Sequence, residues 1–241
     1  MNFIFKLFGL AIKRNKSPED YFNFQTCQAE RVVSSINDVF VLDKSMSALD
    51  YGCGNGGYTF EFAKQFDSVH AIDFFVKPIK NRNSNNNNVK FYDADLLTYT
   101  GEPKDFVFCA SIIEHIEKNM QYAFLENLKN NLKPGGYLYL SYPPFYSIIG
   151  GHKCAPFHYF PEKFAIYLSN KIKGAQVESY EKMWGTWGLH KTTIKEINEM
   201  LIKVGFTIIE TRVRYMPYWY SKLFKNTEFF NWHVEFFCKR T

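Results

Sequence analysis

The chain has 241 residues, 46% of them apolar and 22% charged, with a formal net charge of +5. That is room for one sizeable core or a core with an inserted subdomain, and the scattered lysines and arginines lack the clustered basic stripe of a nucleic-acid binder, so no nucleic-acid partner is expected. Five cysteines (Cys27, Cys53, Cys109, Cys154, Cys238), odd in number and without a C-x-x-C pair, point to the reduced thiols of a cytoplasmic protein rather than to a disulfide framework or zinc ribbon.

The N-terminal "MNFIFKLFGLAIKR" is apolar, but its charges follow the apolar run, unlike those of a signal peptide. It reads as an amphipathic helix docking on the body or lying on a membrane surface. No apolar run approaches the roughly 20 residues of a membrane span.

"SALDYG" (47–52) is a short apolar run that predicts a buried strand, followed by a helix over 57–66 with Phe60, Ala63 and Phe66 on one face. Strands are predicted at 68–73, 88–97 and 105–111, the third preceded by the low-complexity tract "NRNSNNNN" (81–88), read as a solvated loop. A helix over 120–136 stops at Pro-Gly-Gly, and a fifth strand follows at 137–143. After a long irregular stretch comes a helix over 192–205, with threonine at its start and glycine at its end, and then strands at 206–215 and 233–240. Strands alternating with helices imply a mostly parallel sheet covered on both faces.

The segment "LDYGCGNGG" (49–57) stands between a strand and a helix, where Gly52, Gly54 and Gly56 allow a sharp turn and close approach of a ligand. Asp73 ends the second predicted strand, 17 residues past Gly56, where a carboxylate can take both hydroxyls of a ribose. Asp95 ends the third, within reach of an adenine amine. "FCASIIEHIE" (108–117) follows at the end of the fourth. All lie at the carboxyl edge, where open parallel sheets bind ligands. A dehydrogenase would also place an acid after its second strand.

The segments "ALDYGCGNG", "VHAID", "VKFYDADLL", "DFVFCASIIEHIE" and "LKPGGYLYLSYP", in this order, resemble the class I S-adenosylmethionine-dependent methyltransferases. The resemblance implies a Rossmann-like α/β fold with a seven-stranded, mostly parallel sheet in the order 3-2-1-4-5-7-6, the last strand antiparallel. It implies S-adenosyl-L-methionine as cofactor, its methionine part held by Asp50, Gly52, Cys53, Gly54, Asn55 and Gly56. Asp73 with Phe74 would take the ribose, Asp95 with the Leu96 backbone the adenine, and Ala110 and Ser111 the sulfonium side. His115, in "EHIE", is read as a structural residue at a helix start.

"YPPFYSIIGGHKCAPFH" (142–158) carries a Pro-Pro-aromatic step like that of base-modifying methyltransferases, but after the fifth strand instead of the fourth, which argues against a flipped base. His152, Cys154 and His158 match no common zinc spacing, so no metal is expected. Residues 144–191 form an insertion too long for a plain connection. It is expected to act as an acceptor lid, with hinge-like Gly150 and Gly151 and with Phe145, Tyr146, Phe157, Tyr159, Phe160, Trp184 and Trp187 shielding the sulfonium. His152, then His158, then His190, are its candidate bases for a hydroxyl acceptor.

The expected organisation is one methyltransferase domain: a helical cap (1–46), a cofactor core (47–143), the insertion (144–191), and a C-terminal helix and strands (192–241). The expected reaction is methyl transfer to a hydroxyl of a small molecule, sugar or glycan, lipid-linked acceptors included. The aromatic block "RYMPYWYSKLFKNTEFFNW" (214–232) admits a cap on the acceptor, a homodimer contact or a peripheral membrane contact. An RNA or protein methyltransferase, or a non-catalytic cofactor-binding member of the fold, are the alternatives.

Overall fold

The computed structural model describes residues 3–14, 16–74, 76, 87–185 and 187–241. Seven strands run β1 (Ser47–Tyr51), β2 (Ser68–Asp73), β3 (Val89–Asp93), β4 (Lys104–Ala110), β5 (Leu132–Tyr142), β6 (Phe206–Val213) and β7 (Val234–Arg240). They hydrogen-bond in the order β3-β2-β1-β4-β5-β7-β6, with β7 antiparallel. β1 pairs in parallel with both β2 and β4, Asp50 standing beside Ala71 and Phe108, and β2 pairs in parallel with β3.

The chain forms two compact units: residues 1–109, 130–139 and 240, and residues 110–129, 140–239 and 241. The first holds helices α1 (Phe3–Lys13), α2 (Pro18–Asn37) and α3 (Gly57–Phe62). α2 starts where a helix should: Ser17 accepts the Asp20 N–H at 3.0 Å, proline occupies the first turn, and Glu19 and Asp20 face the positive end of the dipole. α3 is shorter than its pattern predicts. Phe62 and Phe66 go into the core while Phe60 and Ala63 are half-buried, because the chain turns after Phe62. Asn88 closes that turn, its side-chain amide donating to the carbonyls of Ala63 (2.8 Å) and Phe66 (2.7 Å). The end of the asparagine tract is therefore a structural plug and not solvated loop; residues 81–86 lie outside the described residues. Much of the aromatic content is core: Phe62 meets Phe106 and Phe108, Phe66 stacks on Phe106, and Phe108 stacks flat on Tyr139 at 5.1 Å.

The second unit holds most of α4 (Gln121–Asn130), and α5 (Glu162–Lys173), α6 (Ile194–Val204) and α7 (Tyr218–Phe224). α4 ends ten residues after it starts and β5 begins at Leu132, so Lys-Pro-Gly-Gly lies within the extended segment, with Gly135 at φ +75°. α6 carries a full capping box between Thr193 and Glu196 and ends on Gly205 at φ +102°.

The insertion is folded around its own apolar cluster of Phe145, Cys154, Ala165, Val177, Tyr180, Met183 and Leu189. Its two glycines are packing positions and not hinges. A Cβ on Gly150 would stand 1.9 Å from the Pro144 carbonyl oxygen, and one on Gly151 would stand 2.2 Å from the His158 ring. Only a hydrogen fits either gap.

Candidate active site

The glycine loop of the first unit adopts three left-handed turns, Gly52 at φ +84°, Gly54 at +54° and Gly56 at +82°. Its donors are spent inside the protein. The N–H groups of Gly52 and Cys53 both reach the Ile72 carbonyl (2.9 and 3.0 Å), and that of Gly56 reaches the Cys53 carbonyl (2.9 Å). Gly54 donates to the Asp73 carboxylate at 2.8 Å. Asn55 and Gly57 share the Gln25 side-chain oxygen at 3.2 and 3.4 Å.

A loop that cradles a pyrophosphate needs its N–H groups turned outward. In this loop those N–H groups are bonded within the protein.

Asp73 is fixed by two backbone donors, Gly54 and Phe74, each at 2.8 Å and one on each carboxylate oxygen. Phe74 beside it is 55% exposed, a flat apolar face next to that acid. β3 stops at Asp93, so Asp95 lies two residues beyond the strand end where the pattern puts it. There its side chain accepts the Leu97 N–H at 2.8 Å, while Asp93 accepts that of Val76 at 2.9 Å. The Leu96 side chain is buried, and its carbonyl accepts the Tyr51 hydroxyl at 2.5 Å.

Asp50 is 1% exposed and accepts the Thr59 hydroxyl at 2.6 Å. Burial pushes its carboxyl up to about 7, against the pull of that bond, and the Asp73 charge adds to the rise. The Cys53 thiol is also buried and its pKa raised by that burial, so Cys53 can meet a ligand only through its backbone.

In the second unit, Ala110 ends β4 and Ser111 follows at φ +57°, its N–H on the Ser141 carbonyl at 2.7 Å. A 3-10 turn, Ile113–His115, then buries Glu114 to 1% exposure. Both Glu114 carboxylate oxygens have no hydrogen-bond donor among the described residues. Burial raises this carboxyl to about 8, with the Arg214 charge opposing the rise. His115 Nδ1 lies 2.8 Å from the Gly188 carbonyl and must donate to it, which leaves the Nε2 lone pair pointing elsewhere. Its Nε2 stands 3.8 Å from Glu114 Oε1, and burial lowers its pKa.

His152 joins this pair, ring to ring with His115 at 5.4 Å, and Trp184 stands edge-on to both at 4.9 and 5.1 Å. His152 sits at φ +49°, a conformation that costs a side-chain-bearing residue roughly 1 kcal/mol or more and is held only where its surroundings impose it. Arg214, bridged to Glu235 at 3.3 Å and donating to Ser141, lies near, as does His233, whose burial holds it well below the usual histidine range.

The predicted residues therefore separate. His152 enters the cluster with Glu114 and His115. His158 turns away into the insertion core, 2% exposed, with Nε2 3.0 Å from the Ser147 carbonyl and its ring against Phe145 and Tyr159; burial lowers its pKa. Cys154 is fully buried in the same core. His190 donates its backbone N–H to the Glu114 carbonyl at 2.8 Å, and burial lowers its ring pKa. Gln25 and Glu114 are the site residues that pattern reading passes over. Gln25 has no motif around it, whereas Glu114 was visible beside His115 but without a sign of its burial.

Residues 24–211 match the family described as a methyltransferase domain. Phosphoethanolamine N-methyltransferase 3 of Arabidopsis thaliana is 29% identical over 126 residues, 49% of this chain and 26% of that protein, so the chain spans about a quarter of the length of this curated relative. The N-methyltransferase NodS of Bradyrhizobium japonicum WM9, crystallised with S-adenosyl-L-homocysteine, superposes with a TM-score of 0.53 at 13% identity, over 89% of this chain and 85% of that one. The 1,6-didemethyltoxoflavin-N1-methyltransferase of Burkholderia thailandensis superposes at 0.56 and 15% identity, over 90% and 78%. With more than half its length matched and the strand order of that fold, the chain belongs to the methyltransferase domain family, as a class I S-adenosylmethionine-dependent methyltransferase.

Proposed function

We propose that the protein methylates a hydroxyl oxygen of a small molecule or sugar acceptor with S-adenosyl-L-methionine as donor; the first unit carries residues suited to the cofactor, and the second carries a histidine cluster suited to a hydroxyl. The observation that carries this reading is the convergence of His115, His152 and the buried Glu114 under Trp184. Bound S-adenosyl-L-methionine supplies a methyl group on a positively charged sulfur. The residues fitted to it are the glycine loop of Gly52, Gly54 and Gly56, the Asp73 carboxylate for the ribose, and the Asp95 turn for the adenine.

A hydroxyl is a poor nucleophile until its proton leaves, and a neutral imidazole takes it readily near pH 7. His152 serves as that base; its ring beside His115 and Trp184 supports this reading. His115, whose Nδ1–H is tied to Gly188, orients the second lone pair of the cluster. His158 supports the loop that carries His152.

His152→Asn is expected to lower kcat roughly 100-fold while calorimetry finds S-adenosyl-L-methionine affinity unchanged. An undiminished kcat would remove His152 from the chemistry. Nitrogen is the second reading for the acceptor atom, favoured by the relatives named N-methyltransferases; mass and NMR analysis of the methylated product tells the two apart.

Two apolar faces support peripheral membrane contact and hence a lipid-linked acceptor. On α1, Phe5, Phe8 and Ile12 are exposed at helical spacing, with Lys6, Lys13 and Arg14 along the same helix or at its end. In the second unit, Trp219, Leu223, Phe229 and Phe230 are exposed around α7. No helix among the described residues is long and apolar enough to cross a membrane. Such faces insert shallowly beside anionic headgroups, so the protein is expected to float with vesicles rich in anionic lipid and to sediment with neutral ones. Failure to float with either removes the membrane part of the reading.

A further inference from the structure

Glu114 presents a problem that the base mechanism leaves unsolved. The Glu114 carboxyl is almost wholly withdrawn from water and neither of its oxygens has a hydrogen-bond partner among the described residues, an arrangement that is costly unless something compensates it. The nearest cation, Arg214, is already paired with Glu235. What Glu114 does face is the Nε2 of His115, a lone pair 3.8 Å away. A ligand atom of His152 completes the group. All three lie within 4.8 Å of one another.

We infer that Glu114, His115 and His152 bind a divalent cation of the zinc, cobalt or manganese class. Two imidazoles and one carboxylate are the donor set of open catalytic zinc sites, which keep a fourth position for an oxygen ligand. Bonds of about 2.0–2.1 Å around a tetrahedral ion set its ligand atoms about 3.4 Å apart, a small contraction from the 3.8 Å found between Glu114 and His115. The outer support is also in place. The bond from His115 Nδ1–H to the Gly188 carbonyl fixes the tautomer that leaves Nε2 for a metal, which is how ligating histidines are usually held. The left-handed backbone of His152 is then explained as the conformation that delivers its ring to the ion.

His152, Cys154 and His158, the trio whose sequence spacing first raises a metal, are not the ligands. Cys154 and His158 lie in the insertion core, away from His152's partners.

This inference rests on the reading of the cluster as the acceptor-handling site but changes the part of His152, which with its ring nitrogen on the ion is a ligand and not the base; the open position would take the acceptor oxygen, whose proton the ion would make easier to lose to solvent. Its test needs no acceptor. The full chain, stripped of metal, is titrated with Co2+ while visible absorption and tryptophan fluorescence are followed. One equivalent is expected to produce the d–d bands of a four- or five-coordinate ion. It should also quench Trp184, whose ring stands 4.9 and 5.1 Å from the two histidine rings. The quench should shrink in W184F and, because Trp187 also stands 6.2 Å from the His115 ring, be lost only in W184F/W187F, while the bands remain in both.

E114Q and H152N should each weaken Co2+ binding by roughly tenfold or more, at least what losing an outer-shell partner costs, and H158Q should leave it unchanged if folded. If E114Q does not fold, the wild-type bands and the W184F comparison still decide the matter. Absence of bands, or bands with no Trp184 quench, overturns the site. If the ion binds as described and no hydroxyl compound is ever methylated, the site stands and the acceptor reading falls.

Discussion

Replacing Asp73 with alanine is expected to weaken S-adenosyl-L-methionine binding about a thousandfold and to abolish methylation at working cofactor concentrations. Two contributions add. The carboxylate would accept both ribose hydroxyls, and hydrogen bonds to a charged group are worth roughly 1.5–3 kcal/mol each, which is about 3–6 kcal/mol or some 10²–10⁴ in affinity. The same carboxylate also holds the glycine loop through the Gly54 N–H. Losing it leaves that donor unpaired and Gly54, at φ +54°, without its anchor.

Asp73→Asn separates the two contributions. Its amide oxygen can still accept from Gly54, so the loop should keep its shape, while its amide nitrogen loses the bond from the Phe74 N–H and one ribose acceptor and the charge are gone. Calorimetry should place it between wild type and alanine, with a melting temperature close to wild type. An alanine variant that binds the cofactor as tightly as wild type would show that Asp73 only braces the loop and that the ribose lies elsewhere.

The parts of this site legible in the sequence are those governed by short-range rules. Strands β1, β2 and β4 follow from apolar runs ending in Asp50, Asp73 and Ser111, and the loop between β1 and α3 follows from glycines that alone adopt positive φ cheaply. α6 is bounded by the sequence to within two residues, 192–205 against the observed Ile194–Val204, because a threonine cap and a terminal glycine are local chemistry.

What escaped depends on partners distant in the chain. Gln25 serves the glycine loop from a helix 30 residues earlier, and nothing in "FNFQTCQAE" marks it. Gly150 and Gly151 look like hinges until the carbonyl of Pro144 and the ring of His158 are seen to fill the space a side chain would need. Asp95 was displaced from its strand because β3 ends at its fifth residue, a boundary that alternation does not locate. The histidine cluster is the sharpest case. His152 is separated from Glu114 and His115 by all of α4 and β5, and only the folded chain shows that its partners are these and not the neighbouring Cys154 and His158.

The second large effect concerns Asp50 and has the sign opposite to that of a salt-bridged acid. Burial raises its carboxyl from the ordinary 3.8 to about 7 in the folded chain. The native state therefore binds a proton more tightly than the unfolded state does. The resulting stabilisation is fully present below pH 3.8 and is lost as pH rises toward 7, above which the buried carboxylate is simply a cost. A rise of roughly three units corresponds to about 4 kcal/mol at most.

Asp50→Asn keeps an oxygen for the Thr59 hydroxyl and has nothing to ionise. The variant should gain stability relative to wild type steadily between pH 4 and pH 7, and the gain should then stay level. Glu114 and His233 also titrate abnormally, but they are common to both chains and cancel in the difference. Parallel stability–pH profiles for the two proteins would show that Asp50 does not carry this linkage.

The charge is worth its cost only if something positive comes to it. The methionine end of S-adenosyl-L-methionine carries an ammonium and a sulfonium, and either would favour the ionised form. The more stable asparagine variant is accordingly expected to bind the cofactor less tightly, the usual exchange of stability for function at a binding site. In wild type below pH 7, cofactor binding should release a proton, read as a calorimetric enthalpy that changes with the ionisation heat of the buffer. In Asp50→Asn that buffer dependence should vanish.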